Sequence, residues 1–173
     1  MVPSKSKIDR SGIALAKESY RDAEEWIEYE DVLDEFRKAH LQPLTETTLE
    51  LQRWLAGYES DYYIAQRLKR KPQVLRKLNR LSVRLTQLQD IGGCRIIVEK
   101  NRDVDHLLSF IESCVQSQSE LSIERVTDYR NLGRDVTGYR AVHVLLSRNN
   151  YKIELQLRSR IQHYWSESIG EPR

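Results

Sequence analysis

Residues 139–158 read YRAVHVLLSRNNYKIELQLR, and this stretch decides the fold. Apolar and polar side chains alternate on both sides of Asn149-Asn150, the pattern of two half-buried strands. Asparagine tolerates positive φ, so the pair predicts a two-residue hairpin turn between strands over Tyr139–Ser147 and Tyr151–Arg158. That turn sets Arg148 opposite Tyr151, and the register then pairs Leu145 with Glu154, His143 with Gln156 and Ala141 with Arg158. Side chains alternate faces along a strand, and directly opposed residues point the same way. Val142, Val144, Leu146, Ile153, Leu155 and Leu157 therefore form an aliphatic face. Tyr139, His143, Glu154, Gln156 and Arg158 converge on the other. A sheet with one wet side is common, but such a side favours Lys, Glu and Thr. A tyrosine, a histidine, a glutamine, a carboxylate and an arginine together favour a site.

Upstream, Leu121–Tyr129 reads as a short strand, and Asn131–Gly138, rich in Gly, Asn and Asp, as a loop. Asn101–Gln116 carries a helical stripe of Val104, Leu107, Leu108, Ile111 and Val115, and Cys94–Val98 is a β-type run. Pro72 predicts the start of a helix with Leu75, Leu78 and Leu81 inward. After Pro43, the series Leu44, Thr48, Leu51, Leu55 and Tyr58 predicts an amphipathic helix stopping near Gly57. A looser period joins Tyr20, Ala23, Ile27, Leu33 and Phe36. Ile161–Ile169 predicts a last, short helix. The expected fold is a mixed α/β (α+β) domain with a small, largely antiparallel sheet covered by helices. Residues 1–60 form an N-terminal helical cover and 61–173 the core that carries the site, within one compact domain.

The 173 residues are 39% hydrophobic and 31% charged, a globular balance. Nothing approaches the roughly 18 consecutive apolar residues of a membrane span. No apolar stretch follows Met1–Lys7, so no secretory signal is read there. Cys94 and Cys114 lack metal-ligand spacing and make no disulfide framework. A cytoplasmic protein of a bacterium or phage is expected.

The overall charge of +2 hides a polarity. Residues 1–61 carry 14 acidic and 8 basic side chains, a net of −6, so the remaining 112 carry +8. Tyr62–Gln89 holds eight Lys/Arg (Arg67, Lys69, Arg70, Lys71, Arg76, Lys77, Arg80 and Arg84) and no acid. Such a block suits a solvated or nucleic-acid-binding face. It equally suits a pocket in which several cations converge on a polyphosphate. Asp90 follows the block directly, at the head of Asp90-Ile-Gly-Gly-Cys-Arg95, where two glycines let a ligand approach the backbone. Mg²⁺ is commonly held by one or two carboxylates plus substrate phosphates. Asp90 and Glu154 are the candidate pair; a turn-capping role is the alternative for Asp90.

In chain order these residues resemble the synthetase domain of the RelA/SpoT family. Arg67-Leu-Lys69 resembles its first basic ATP-binding motif, and Lys77 the lysine that follows. Asp90-Ile-Gly-Gly-Cys-Arg95 resembles its magnesium-aspartate strand. Asp128-Tyr129, then Gly138-Tyr139-Arg140 and His143, resemble its acceptor-nucleotide loop and strand. Glu154-Leu-Gln156-Leu-Arg158-Ser159 resembles its Glu-x-Gln-x-Arg-Thr signature, and Trp165 the tryptophan beyond it. The match covers about residues 60 to 166.

The resemblance implies a nucleotidyltransferase-related fold and an ATP:nucleotide 3′-pyrophosphotransferase, a GTP diphosphokinase making (p)ppGpp from ATP and GDP or GTP. It implies that Arg67 and Arg95 sandwich the adenine, while Lys69, Lys77 and Arg76 hold the ATP phosphates. Asp90 and Glu154 would coordinate Mg²⁺, with Glu154 also the base for the acceptor's 3′ hydroxyl. Tyr139 would stack on the acceptor base, and His143, Gln156 and Arg158 would position phosphate or ribose. Thr127 stands where many members have lysine, and Gly133–Thr137 replaces the usual Pro-Lys-x-Asn approach. Both departures fall on the acceptor side. Arg134 and Arg140 restore charge there, which makes Arg134 a candidate acceptor contact. The tRNA 3′ end is the alternative acceptor, and a nucleotide- or RNA-binding module without catalysis the alternative class. The short last helix and the lack of a preceding hydrolase domain resemble a stand-alone small synthetase shortened at its C-terminus, with a homo-oligomer as an open assembly.

Overall fold

The structure, a computed structural model, describes residues 2–117, 120–131 and 139–169. Three helices come first, α1 (Lys5–Ala16), α2 (Ala23–Lys38) and α3 (Leu41–Leu55). They are followed by β1 (Tyr62–Leu68), α4 (Lys71–Leu81), a 3₁₀ turn at Leu85–Gln87 and β2 (Gly92–Val98). The chain continues through α5 (Asn101–Ser117), β3 (Ser122–Asp128), β4 (Val142–Arg148), β5 (Tyr151–Ser159) and α6 (Arg160–Ile169). The five strands form one sheet in the order β1-β2-β5-β4-β3. Only β2 and β5 run parallel; every other pair is antiparallel. The expected mixed, largely antiparallel sheet with helical cover is the fold.

The hairpin forms as its sequence dictates. Asn149 and Asn150 take φ values of 50° and 66°, as a two-residue turn of matching twist requires. Arg148 pairs with Tyr151, Leu145 with Glu154 and His143 with Gln156. The first strand is shorter than predicted: β4 begins at Val142, and Tyr139 lies just ahead of it. The aliphatic face packs under α3 and α5, where Leu44, Leu51, Leu55, Val104, Leu107 and Ile111 meet Val144, Leu146, Leu155 and Leu157. The leucines of α3 thus share a core with the sheet. A second cluster joins α1 and α2 to Val74 and Leu78 of α4 and to Leu85, Leu88 and Ile91.

Two expectations are corrected, and one strand is added. Tyr20 and Ile27 are 40% and 52% exposed, and the buried face of α2 is Tyr29, Val32, Leu33 and Phe36. The Asp22 side chain accepts from the Glu25 amide and starts α2 afresh, so no single period runs through Tyr20. On α4, Val74 and Leu78 are buried while Leu81, the terminal residue, is 45% exposed. The helix ends there because Ser82 turns left-handed, at φ 50°. Finally, Tyr62–Leu68 is an edge strand that the basic block had masked. One side of an edge strand is wet, and its exposed and half-exposed residues show no clean alternation.

His40 gives the fold a pH dependence. The ring is buried between Phe36 and Tyr151, with Nδ1 2.9 Å from the Phe36 carbonyl, to which it donates. Burial pushes its pKa below the ordinary 6.5, opposed in part by that hydrogen bond. The unfolded chain therefore takes up a proton first as pH falls, and stability drops from about pH 6.5 downward until the folded pKa is passed. The slope from this one group is at most ~1.4 kcal/mol per pH unit. Urea titrations of wild type and His40→Phe across that window are expected to give a shallower slope for the variant; equal slopes would exclude His40 as the cause.

Candidate active site

Register alone assembles the site. Across the sheet, Arg67, Gly93, Glu154, Leu145 and Arg125 are successive partners. The next row is Ala65, Arg95, Gln156, His143 and Thr127. Both rows lie on the face opposite the aliphatic core. Gly93 stands between Arg67 and Glu154, where a Cβ would meet only ordinary contacts, 3.8 Å from the Glu154 carbonyl and 3.9 Å from that of Arg67. Its missing side chain leaves open floor between a guanidinium and a carboxylate.

Two cavities open on this face. The smaller, of about 110 Å³, is lined by Arg67, Lys69, Arg95 and Gln156 together with Asp90 and Glu154. The larger, of about 240 Å³, is lined by Lys77, Arg125, Thr127, Tyr129 and His143, again with Asp90 and Glu154. The two carboxylates are the residues common to both.

Asp90 sits just before β2, fixed by the hydrogen bond from the Lys69 amide to the Ile91 carbonyl at 2.8 Å. Its Oδ2 accepts from Lys69 Nζ at 2.9 Å and Lys77 Nζ at 2.6 Å. Burial alone would raise its pKa, but the two lysines outweigh burial and hold the carboxyl below the ordinary range. The stability from this pairing is present above the ordinary carboxylate pKa and is lost as pH falls through the depressed one. Oδ1 of Asp90 is buried without a hydrogen-bond partner among the described residues. Such an atom wants a cation or a donor.

Glu154 is held differently. Oε1 lies 3.0 Å from His143 Nδ1, and Oε2 accepts from Gln156 Nε2 at 3.0 Å. Behind them, Tyr139 Oη is 2.8 Å from His143 Nε2, and Arg158 donates to Tyr139 Oη at 2.5 Å and to Gln156 Oε1 at 2.8 Å. Arg158 is fully buried and its guanidinium stands 4.8 Å from the Tyr139 ring centroid.

The expected residues therefore fall into three groups. Arg67, Lys69, Lys77, Asp90, Arg95, His143, Glu154 and Gln156 line one cavity or both. Lys77 opens on the larger cavity rather than beside Arg67. Tyr139 and Arg158 lie beneath, at 1% and 0% exposure. The Tyr139 ring is thus not presented for stacking in this conformation, because Arg158 and His143 pack against it. Arg76 is apart: it is exposed and donates to the Pro72 carbonyl of its own helix at 3.4 Å, pointing away while its neighbour Lys77 reaches Asp90. Arg134 lies outside the described residues.

Tyr129, named in the acceptor-side motif but given no role of its own, lines the larger cavity with its ring edge-on to His143, centroids 5.0 Å apart. The alternation of Arg125 and Thr127 along β3, continued by Tyr129 just past its end, was the signal that could have placed it. Glu167 of α6 pairs with Arg95 at 3.3 Å, a contact no local pattern announces.

Among the described residues no cluster of three or more potential metal-ligating side chains occurs. A magnesium ion nevertheless fits Asp90 and Glu154, since it takes few protein carboxylates and completes its shell with phosphate and water. The unpartnered Oδ1 of Asp90 is the atom that suits it.

The architecture is that of the small alarmone synthetases. A GTP pyrophosphokinase family protein from Streptococcus pneumoniae superposes with a TM-score of 0.68 at 21% identity, over 78% of this chain and 73% of that one. Small alarmone synthetase 1 from Bacillus subtilis bound to its product pppGpp gives 0.67 at 19%, over 78% and 77%. The same synthetase bound to AMPCPP gives 0.56 at 18%, over 78% and 74%. At such identities these likenesses carry the fold. No curated protein sequence matches the chain. Residues 66–171 match the model of the region found in RelA/SpoT proteins, and the chain belongs to that family.

Among the described residues no helix is long and apolar enough to cross a membrane.

Proposed function

We propose that this protein is a pyrophosphokinase that moves the β,γ-pyrophosphoryl group of ATP to the 3′ hydroxyl of GDP or GTP. The observation that carries the reading is the place of Asp90 and Glu154 on the boundary shared by two cavities. A group passing from one bound substrate to another needs its charge-handling side chains at that boundary.

The smaller cavity suits ATP: Arg67, Arg95 and Lys69 line it, and Lys69 reaches Asp90. The larger suits the acceptor, with Tyr129 as an aromatic wall and Arg125 and Lys77 as cations. In the transfer, the acceptor oxygen bonds to the β-phosphorus, and the bond from that phosphorus to the α-phosphate's bridging oxygen breaks. AMP leaves with the electron pair, and the hydroxyl proton passes to Glu154. Mg²⁺ held by Asp90 and Glu154 would neutralise charge on the phosphates. Lys69 and Lys77, paired to Asp90 in the resting protein, would turn to the phosphates. Such chemistry depends on positioning and electrostatics. The relatives bound to pppGpp and to AMPCPP support a nucleotide on each side.

Incubating purified protein with γ-³²P-ATP, Mg²⁺ and, separately, GDP, GTP, AMP, ADP and tRNA tests the reading. Label in a tetra- or pentaphosphorylated guanosine product, with AMP released, is expected. Label in tRNA alone would replace the acceptor, and no label in any acceptor would leave a binding module.

A further inference from the structure

We infer that the cleft between the start of α1, the junction of α2 with α3 and the Asn149-Asn150 turn is a regulatory binding site for a small aromatic carboxylate. The 3₁₀ turn at Leu85–Gln87 links it to the larger cavity of the candidate active site. Only the identity of that neighbour as the acceptor's cavity rests on the proposed function; the cleft does not.

The cleft measures about 580 Å³, a volume typical of small-molecule sites. Its floor is apolar: Ile8, Phe36 and Leu88 are buried, and Tyr151 stands edge-on to the His40 ring, centroids 5.0 Å apart. His40 is the polar exception, at 5% exposure. Its Nδ1 faces the Phe36 carbonyl, which only accepts, so that nitrogen carries the hydrogen. Burial holds the ring neutral near pH 7 by lowering its pKa. Nε2 is left as a bare acceptor with no partner among the described residues. A buried acceptor of this kind wants an N–H or O–H. The mouth is positive. Lys5 and Lys152 line it and no carboxylate does, although Lys152 also meets Glu124. The first turn of α1 holds no acid, so the positive end of the helix adds to the lysines. Flat apolar walls, one buried acceptor and a positive mouth match an aromatic ring bearing one donor and a carboxylate. A nucleotide fits less well: its hydroxyl-rich sugar would lose water against Val2, Pro3 and Ile8, which return no hydrogen bond.

The cleft and the larger cavity are two sides of one short segment. Thr86 and Leu88 line the cleft, while Gln87, Leu88 and Gln89 line the cavity. Helix α1 grips this segment. Asp9 accepts from the Thr86 amide and hydroxyl, each at 2.8 Å. A Cβ on Gly12 would come within 2.8 Å of Leu85 Cβ, so helix and turn pack backbone-close. A ligand that draws the first turn of α1 onto the cleft thereby fixes Gln87 and Gln89 on the other side. Sites coupled in this way strengthen each other by the same factor, typically about fivefold or more.

Calorimetry on nucleotide-free protein at pH 8, with indole-3-acetate as the probe, tests the site. Saturable binding is expected. It should weaken by about fivefold to tenfold for 1-methylindole-3-acetate, which lacks the donor, and in His40→Phe, which keeps the ring and loses the acceptor. Lys5→Ala, a change at an exposed position that leaves the core intact, should weaken it as well. No saturable binding, equal affinity for the methylated probe, or unaltered affinity in both variants would overturn the site. For the coupling, the probe should shift the side-chain amide signals of Gln87 and Gln89 in ¹H–¹⁵N spectra of nucleotide-free protein. It should also tighten GDP binding by about fivefold or more, and GDP should tighten the probe equally. Silent amides, or GDP binding indifferent to the probe, would overturn the regulatory role. A protein that binds no GDP at all would count against the proposed function instead, and the cleft would then be decided by the probe's affinity and the amide shifts.

Discussion

Asp90→Asn and Glu154→Gln are each expected to lower pyrophosphate transfer by ~10²-fold or more, because each removes one oriented charge from the place where charge is redistributed. The two carboxylates border both cavities, so neither loss can be made up from one substrate's side. Glu154→Gln is nearly isosteric, keeps an oxygen for His143 Nδ1 and should leave the melting temperature close to wild type. It removes the group proposed to accept the hydroxyl proton and one of the two proposed magnesium ligands. Asp90→Asn differs in one measurable respect. Lys69 and Lys77 both contact Oδ2 of Asp90, so without its charge two half-buried ammonium groups face one another. Some stability should be lost and ATP binding should suffer less than turnover, since the lysines remain to meet phosphate. Initial rates at saturating ATP, acceptor and Mg²⁺ decide the matter. Near wild-type turnover in either variant would remove that residue from the chemistry.

How much of this was legible in the sequence depends on the range of the interaction. The hairpin was, because its turn residues, its alternation and its register are all local. From them the facing of His143, Gln156 and Glu154 follows without any other part of the chain. The stripe of α3 was legible for the same reason: Leu44, Thr48, Leu51 and Leu55 keep one period. What failed were features set by distant partners. The strand β1 is defined by β2, which pairs Arg67 with Gly93, and nothing within Tyr62–Leu68 alternates enough to announce it. The stacking role that the resemblance implies for Tyr139 needs an open ring face, and the residue is 1% exposed in this conformation. Its burial depends on Arg158, nineteen residues away in sequence, reaching back to its hydroxyl. Arg76 and Lys77 looked equivalent in a basic block, yet a helix turns about 100° per residue and only one can face Asp90. The charges of the block were visible in the sequence, whereas their directions were set by the fold.

Arg148→Met is expected to cost about 3–5 kcal/mol of stability, the largest loss foreseen for a residue outside the site. Arg148 ends β4 on the aliphatic face, where its period places it beside Val144 and Leu146. Its side chain is 5% exposed and reaches α3, with Nε donating to Thr47 Oγ1 at 3.2 Å and Nη2 to the carboxylate of Glu50. Glu120 accepts from Nη1 at 2.9 Å, and Glu46 lies 3.9 Å away. Glu120 and Glu46 are 79% and 39% exposed and turn to water when the arginine is removed. Glu50, at 11%, has little access to water and loses the guanidinium that Arg148 sets against it. The penalty is thus a buried carboxylate deprived of its guanidinium more than the lost attraction, and this separates two outcomes. If the stranded charge dominates, Arg148→Met/Glu50→Leu should recover most of the stability, since apolar groups of similar size suit the space. Domains are stable by only about 5–15 kcal/mol, so the single variant should show a large drop in urea midpoint and the double variant a small one. A loss below about 1 kcal/mol in Arg148→Met would mean that the pair behaves as an exposed one. A double variant as unstable as the single would mean that Arg148 is needed for the α3–hairpin packing itself. In that case transfer activity should fall with it, since Glu154 lies on the strand that this turn holds in register.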